Sequence, residues 1–113
     1  MILGATDTPV QDLDGGVSRQ ILATDPQLMM VKVIFTKGAV GYVHTHPHRQ
    51  VTYVERGRFE ATMGDVTRVI GPGDSYYAPP GVPHGVVALE DGVLIDVFTP
   101  AREDFLATTP QTA

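Results

Sequence analysis

Turn-forming residues fall so often along this chain that little room is left for a helix of ordinary length. Thr24-Asp25-Pro26, Gly38, Gly57, Gly64-Asp65, Gly71-Pro72-Gly73-Asp74, Pro79-Pro80-Gly81 and Glu90-Asp91-Gly92 punctuate it. Glycine reaches backbone conformations barred to other residues, and proline lacks a donor, so both interrupt regular structure. Between the breaks lie VSRQILAT (17–24), LMMVKVIFTK (28–37), QVTYVERG (50–57), RFEATM (58–63), VTRVI (66–70), HGVVAL (84–89) and VLIDVFT (93–99). These short runs are rich in Val, Ile, Thr and aromatic residues and predict strands. Many short strands at close spacing predict an all-β sandwich or barrel. Gly64-Asp65 and Asp91-Gly92 read as hairpin turns. One helical segment is expected, PAREDFLATT (100–109), with Pro100 at its first position and Glu103 and Asp104 in its first turn. The end of the chain, from about residue 108 to 113, is expected to be disordered.

The chain has 113 residues, enough for one domain spanning 1–113. It has no cysteine, which removes disulfides, thiolate metal ligands and a cysteine nucleophile from consideration. Its net charge is −5, and its Lys and Arg residues form no cluster, which argues against nucleic acid as a partner. An anionic small substrate would therefore need a local Arg or Lys. No apolar run approaches the roughly 20 residues that span a bilayer. The N-terminal MILGATDTPVQDLDGG lacks the basic segment of a secretory signal, so a cytoplasmic protein away from membranes is expected.

Three of the four histidines, His44, His46 and His48, crowd into the stretch GYVHTHPHRQ, with His84 far downstream. In a strand, residues two apart share a face, so His44 and His46 are predicted to point the same way. Gln50 opens the next run and shares a face with Thr52 and Val54. If these strands line one barrel, His44, His46, Gln50 and His84 can meet inside an apolar lumen. Neutral imidazoles cannot all satisfy one another there, whereas one divalent cation satisfies them together. Imidazole and amide oxygen suit Zn, Ni, Fe, Mn or Cu, and the ligand types do not choose among these. His48 follows Pro47, which interrupts the strand, and reads as a solvated loop residue or a donor behind a ligand.

In VLIDVF, Leu94, Asp96 and Phe98 share one face, and Asp96 is the one polar residue on either face. A carboxylate in such a strand is costly unless it is paired or useful. Burial would raise its pKa, and a nearby metal or Arg would lower it. From the strand alone it is either a proton shuttle facing the lumen or a structural residue, at a rim or paired with Arg102.

Residues 38–57, GAVGYVHTHPHRQVTYVERG, resemble the first cupin motif in the spacing of Gly38, His44, His46, Gln50 and Gly57. Residues 73–88, GDSYYAPPGVPHGVVA, resemble the second in the spacing of Gly73, Pro79, Gly81 and His84. The resemblance implies a double-stranded β-helix, the cupin jelly-roll barrel, with a metal inside. Two positions depart from the general pattern. Gln50 stands where most cupins have Glu, which removes a negative charge and a possible base from the ligand set. Ala88 replaces the Asn that often closes the second motif.

HTHPHRQVTYVERGRFE and PPGVPHGVVALEDGVLIDVFTPAREDFL resemble one subfamily closely, the KdgF-like proteins of pectin and alginate breakdown. That resemblance implies an enzyme converting 4,5-unsaturated monouronates, the products of polysaccharide lyases, into linear 4-deoxy-5-keto uronate. It implies His44, His46, Gln50 and His84 as ligands of one divalent transition metal ion per chain. It implies Asp96 as the catalytic group, with Arg102 and Phe98 in the substrate site. Arg102 would offer a fork for the uronate carboxylate, and Phe98 an apolar wall. Small cupins of this kind are often homodimers, and MMVKVIF and QVTYVERG carry apolar or aromatic residues on both faces, so a homodimer is expected. Other cupin functions remain open at this point: a dioxygenase acting on a small phenol or diketone, and a non-catalytic sugar- or metabolite-binding protein.

Overall fold

The computed structural model describes residues 1–107. Its strands are β1 (Val10–Asp12), β2 (Val17–Asp25), β3 (Leu28–Phe35), β4 (Val40–His44), β5 (Arg49–Arg56), β6 (Phe59–Met63), β7 (Val66–Ile70), β8 (Ser75–Ala78), β9 (His84–Ala88) and β10 (Gly92–Thr99). A short helix, α1 (Glu103–Ala107), follows. Every pairing is antiparallel. Six strands form one sheet in the order β1-β2-β3-β10-β5-β8, and four form the other in the order β4-β9-β6-β7. The two sheets make the predicted jelly-roll barrel. No described helix is long and apolar enough to cross a membrane.

Strict alternation positions the interior. Along β5, Gln50, Thr52 and Val54 are buried, while Val51, Tyr53 and Glu55 are exposed. The register with β10 sets Gln50 opposite Phe98, Thr52 opposite Asp96 and Val54 opposite Leu94. Val54 and Leu94 belong to one apolar cluster with Phe35, Phe59 and Val86. Phe98 belongs to a second, with Met29, Val31 and Ala101. The polar residues of β5 and β10 thus form a layer between two apolar ones.

Phe59 anchors the first cluster. It is fully buried and meets Phe35 edge-on at 5.2 Å between ring centroids. Phe59→Ala is expected to cost about 3–5 kcal/mol of stability in a denaturant titration. A loss below about 1 kcal/mol would show that the site collapses to fill the gap. Gly57 makes the corner where the chain leaves the larger sheet for the smaller. Its φ is 82°, and a Cβ there would lie 2.5 Å from the Asp91 carbonyl oxygen. Only glycine fits that turn.

Several expectations need correction. Gly64-Asp65 does close a hairpin, with Met63 paired to Val66. Asp91-Gly92 does not: β9 lies in the four-stranded sheet and β10 in the six-stranded one, so the segment crosses between sheets. Local turn chemistry marks where a chain bends and not which sheet it joins next. Strands β1 and β8 are absent from the runs read as strands, and β4 enters there only through the pairing of His44 with His46; the Gly and Pro residues flanking SYYA hide β8. The helix begins at Glu103, leaving Pro100 before it. Residues 108–109 of the predicted helix, and the expected disordered tail, lie outside the described residues.

Candidate metal centre and proton-transfer site

His44 ends β4, His84 opens β9, and the two face each other across that pairing. His46 was expected to continue the strand of His44. It lies instead in the loop between β4 and β5, because Pro47 cannot donate to a ladder. Its ring still turns inward, to 4.8 Å from that of His84 and 5.4 Å from that of His44. One ring nitrogen from each of His44, His46 and His84 falls within 4.8 Å of the others.

The outer nitrogens fix the chemistry of the inner ones. His44 Nδ1 lies 2.8 Å from the Tyr42 carbonyl, His46 Nδ1 3.0 Å from the His48 carbonyl, and His84 Nδ1 2.9 Å from the Val82 carbonyl. A carbonyl oxygen only accepts, so each Nδ1 carries the proton and donates it. In the neutral rings each Nε2 is then a bare lone pair. Gln50 Oε1 lies 2.9 Å from His46 Nε2 and 3.0 Å from His84 Nε2. Acceptors thus face acceptors, with no proton between them. A divalent cation resolves that conflict, and three imidazoles with one amide oxygen suit a transition metal. The carbonyls that hold Nδ1 are the usual partners behind metal-bound histidines. Burial is the main cause holding the His46 and His84 pKa values below the ordinary imidazole range, which keeps both rings neutral and able to ligate.

A cavity of about 150 Å³ opens beside this cluster, lined among others by His44, Gln50, His84, Asp96, Phe98 and Arg102. Asp96 faces into it and accepts a hydrogen bond of 2.6 Å from the Thr52 hydroxyl, with Gln50 Nε2 at 3.4 Å. Burial pushes its carboxyl up to about 6; the Thr52 hydrogen bond, the charge of Arg102 and the Gln50 amide act the other way. A carboxyl titrating there can both take and give a proton near neutrality.

Arg102 is buried rather than exposed, with its guanidinium 4.2 Å from the centre of the Phe105 ring and 5.1 Å from that of Phe98. It donates to Asp104 twice, at 3.0 and 2.8 Å, and makes no hydrogen bond to Asp96. Phe98 packs in the second cluster and also lines the cavity. His48 stays outside the cluster of three. Its backbone carbonyl holds His46 Nδ1, and its ring meets that of His46 edge-on at 5.5 Å between centroids.

Sequence reasoning missed Tyr76 and Arg19, which also line this space, and Thr52, which bonds Gln50 and Asp96 behind it. Thr52 was in view as the residue sharing a face with Gln50, but nothing in its identity announced two polar partners. Arg19 is 8% exposed, lies 3.9 Å over the Phe105 ring and donates to Gln11 at 3.1 Å. A single Arg in the run VSRQILAT gave no sign of that burial.

The chain belongs to the cupin family: residues 31–98 match the cupin domain. Within that family it groups with the KdgF proteins. It is 46% identical over 102 residues to the pectin degradation protein KdgF of Dickeya dadantii, covering 88% of this chain and 93% of that one. The structure of KdgF from a Halomonas species superposes with a TM-score of 0.89 at 41% identity, over 93% of this chain and 97% of that one. An RmlC-like cupin from Shewanella frigidimarina NCIMB 400 gives the same TM-score at 48% identity, over 91% and 93% of the two chains.

Proposed function

We propose that this protein is a metal-dependent enzyme of pectin or alginate breakdown that opens 4,5-unsaturated monouronates to linear 4-deoxy-5-keto uronate. The observation that carries the reading is the convergence of His44, His46, Gln50 and His84 at one point, beside a cavity that the carboxylate of Asp96 also lines. Similarity to a protein named for pectin degradation supports the substrate class.

The substrate holds an enol ether in its ring and a hemiacetal at C1. Asp96 takes the proton of the C1 hydroxyl, C1 becomes a carbonyl, and the bond from C1 to the ring oxygen breaks. The electron pair stays on that oxygen as an enolate, which collapses to the C5 ketone as C4 gains a proton. Asp96 can return the proton that it took. Atoms balance without water or oxidant, so the reaction is an isomerisation. A divalent ion held by the histidines and Gln50 would supply Lewis acidity toward the sugar oxygens. Arg102 and Phe98 orient the sugar, one toward its carboxylate and the other against its apolar face.

The test follows the ultraviolet absorbance of the conjugated double bond in lyase-generated monouronate, with the spontaneous rate subtracted. Zinc-loaded protein without oxygen is expected to speed its loss. No acceleration with metal bound contradicts the proposal, and a strict need for oxygen and a redox-active metal would favour a dioxygenase.

A base must be ionised, so kcat/KM is expected to rise with pH as the Asp96 carboxyl loses its proton and to level off above that point. Burial pushes that carboxyl up to about 6. A bound cation favours the carboxylate, so the acid limb should fall at or below that pH. A limb well above neutrality would assign the proton transfer to another group.

We also propose a homodimer formed through the outer face of the larger sheet. Met30 is 40% exposed, Val51 and Tyr53 49% each, and Tyr77 45%. Val51 and Tyr77 are cross-strand neighbours. Light scattering is expected to give twice the chain mass, and Tyr53→Glu to halve it. A monomer at micromolar concentration contradicts this.

A further inference from the structure

Gln50 poses a problem that its own geometry does not solve. A primary amide has two ends of nearly equal size, and only one is a metal ligand. Turned the other way, the amide would direct its N–H groups at the bare Nε2 lone pairs of His46 and His84. That arrangement is comfortable without a cation and leaves no oxygen for one.

Thr52 opposes this turn. Its hydroxyl has one proton, and Asp96 Oδ1, at 2.6 Å, is an acceptor when ionised, so the proton goes there. The Thr52 oxygen can then only accept from Gln50, whose Nε2 lies 2.9 Å away. That fixes Oε1 on the histidine side. A turned amide would set Oε1 against an oxygen with no proton to offer. Thr52 has no exposed surface, so water cannot repair the mismatch. Tyr76 stands cross-strand from Thr52 on β8. The direct approach of Gln50 Nε2 to Asp96, at 3.4 Å, is too long to replace the link.

We propose that Thr52 is a positioning residue whose hydroxyl, anchored on Asp96, holds the Gln50 amide oxygen toward the metal. The proposal rests on the metal-centre reading and not on the uronate reaction. Its test therefore uses zinc alone, in competition with a chelator and without substrate. Thr52→Val and Thr52→Ala remove the hydroxyl and are expected to weaken zinc binding about 10–100-fold. Thr52→Ser keeps it and is expected to bind within about threefold of the unaltered protein, a small part of that range. If the Val variant misfolds, the Ala and Ser pair decides. Zinc bound as tightly by the Val or Ala variant as by the unaltered protein would overturn the proposal. So would a Ser variant as weak as the Ala one, which would assign the effect to packing. An unaltered chain that takes up no zinc would overturn the metal centre and Thr52's role with it. A chain that binds zinc in the expected order but leaves uronates untouched would sustain this proposal and contradict only the reaction.

Discussion

Asp96→Asn is expected to lower turnover by about two orders of magnitude or more, with metal content and fold unchanged. Asparagine has nearly the size of aspartate, and its amide oxygen can still accept from the Thr52 hydroxyl that now bonds Asp96 at 2.6 Å. The link through Thr52 to Gln50 therefore survives. What is lost is a group that exchanges a proton near neutrality, a property that burial confers on this carboxyl. Arg102→Ala should differ. Its guanidinium lines the cavity without touching the ligand set, so its loss should raise KM more than it lowers kcat. It also stacks on Phe105 and pairs with Asp104, so some loss of stability should accompany the change. An Asp96→Asn variant that turns over normally while Arg102→Ala is inactive would reverse the two roles. Loss of metal or of folding in Asp96→Asn would make the residue structural.

His84→Ala is expected to strip the metal or leave a small fraction of it, measured by elemental analysis after dialysis. His84 Nε2 is one of three imidazole lone pairs at the cluster, and its ring is 2% exposed, so no mobile surface group can take its place. The same holds for His46→Ala. His48→Ala should keep nearly full metal content, because the His46 ring is held by the backbone carbonyl of residue 48, which alanine retains. Full metal content in His84→Ala would contradict the ligand assignment, and a large loss in His48→Ala would mean that its ring also ligates.

The barrel was legible because alternation and punctuation are local signals. QVTYVERG reads as a strand with Gln50, Thr52 and Val54 on one face, and so it is. The joining of strands into sheets was less legible. Asp91-Gly92 looks like a hairpin in isolation, and only the opposite sheet memberships of β9 and β10 show that it is a crossover. His44, His46 and His84 do converge, with Gln50 beside two of them, but one step of the strand-parity argument failed. His46 reaches the cluster from a loop, where strand parity does not apply, and its orientation comes from a backbone carbonyl that no side-chain pattern encodes. The surroundings of Arg102 were hidden for a similar reason. Its pairing with Asp104 depends on where α1 starts, and the sequence suggested Pro100 where the helix begins at Glu103.

The most direct measurement follows the unsaturated monouronate by NMR in heavy water with metal-loaded protein, metal-free protein and the Asp96→Asn variant in parallel. With metal-loaded protein, the vinyl proton signal is expected to disappear well above the spontaneous rate. The product should be the linear 4-deoxy-5-keto uronate, with one deuteron at C4. The metal-free protein and the Asp96→Asn variant should stay near background. Conversion by the metal-loaded protein at the spontaneous rate would contradict the account, whatever the site binds.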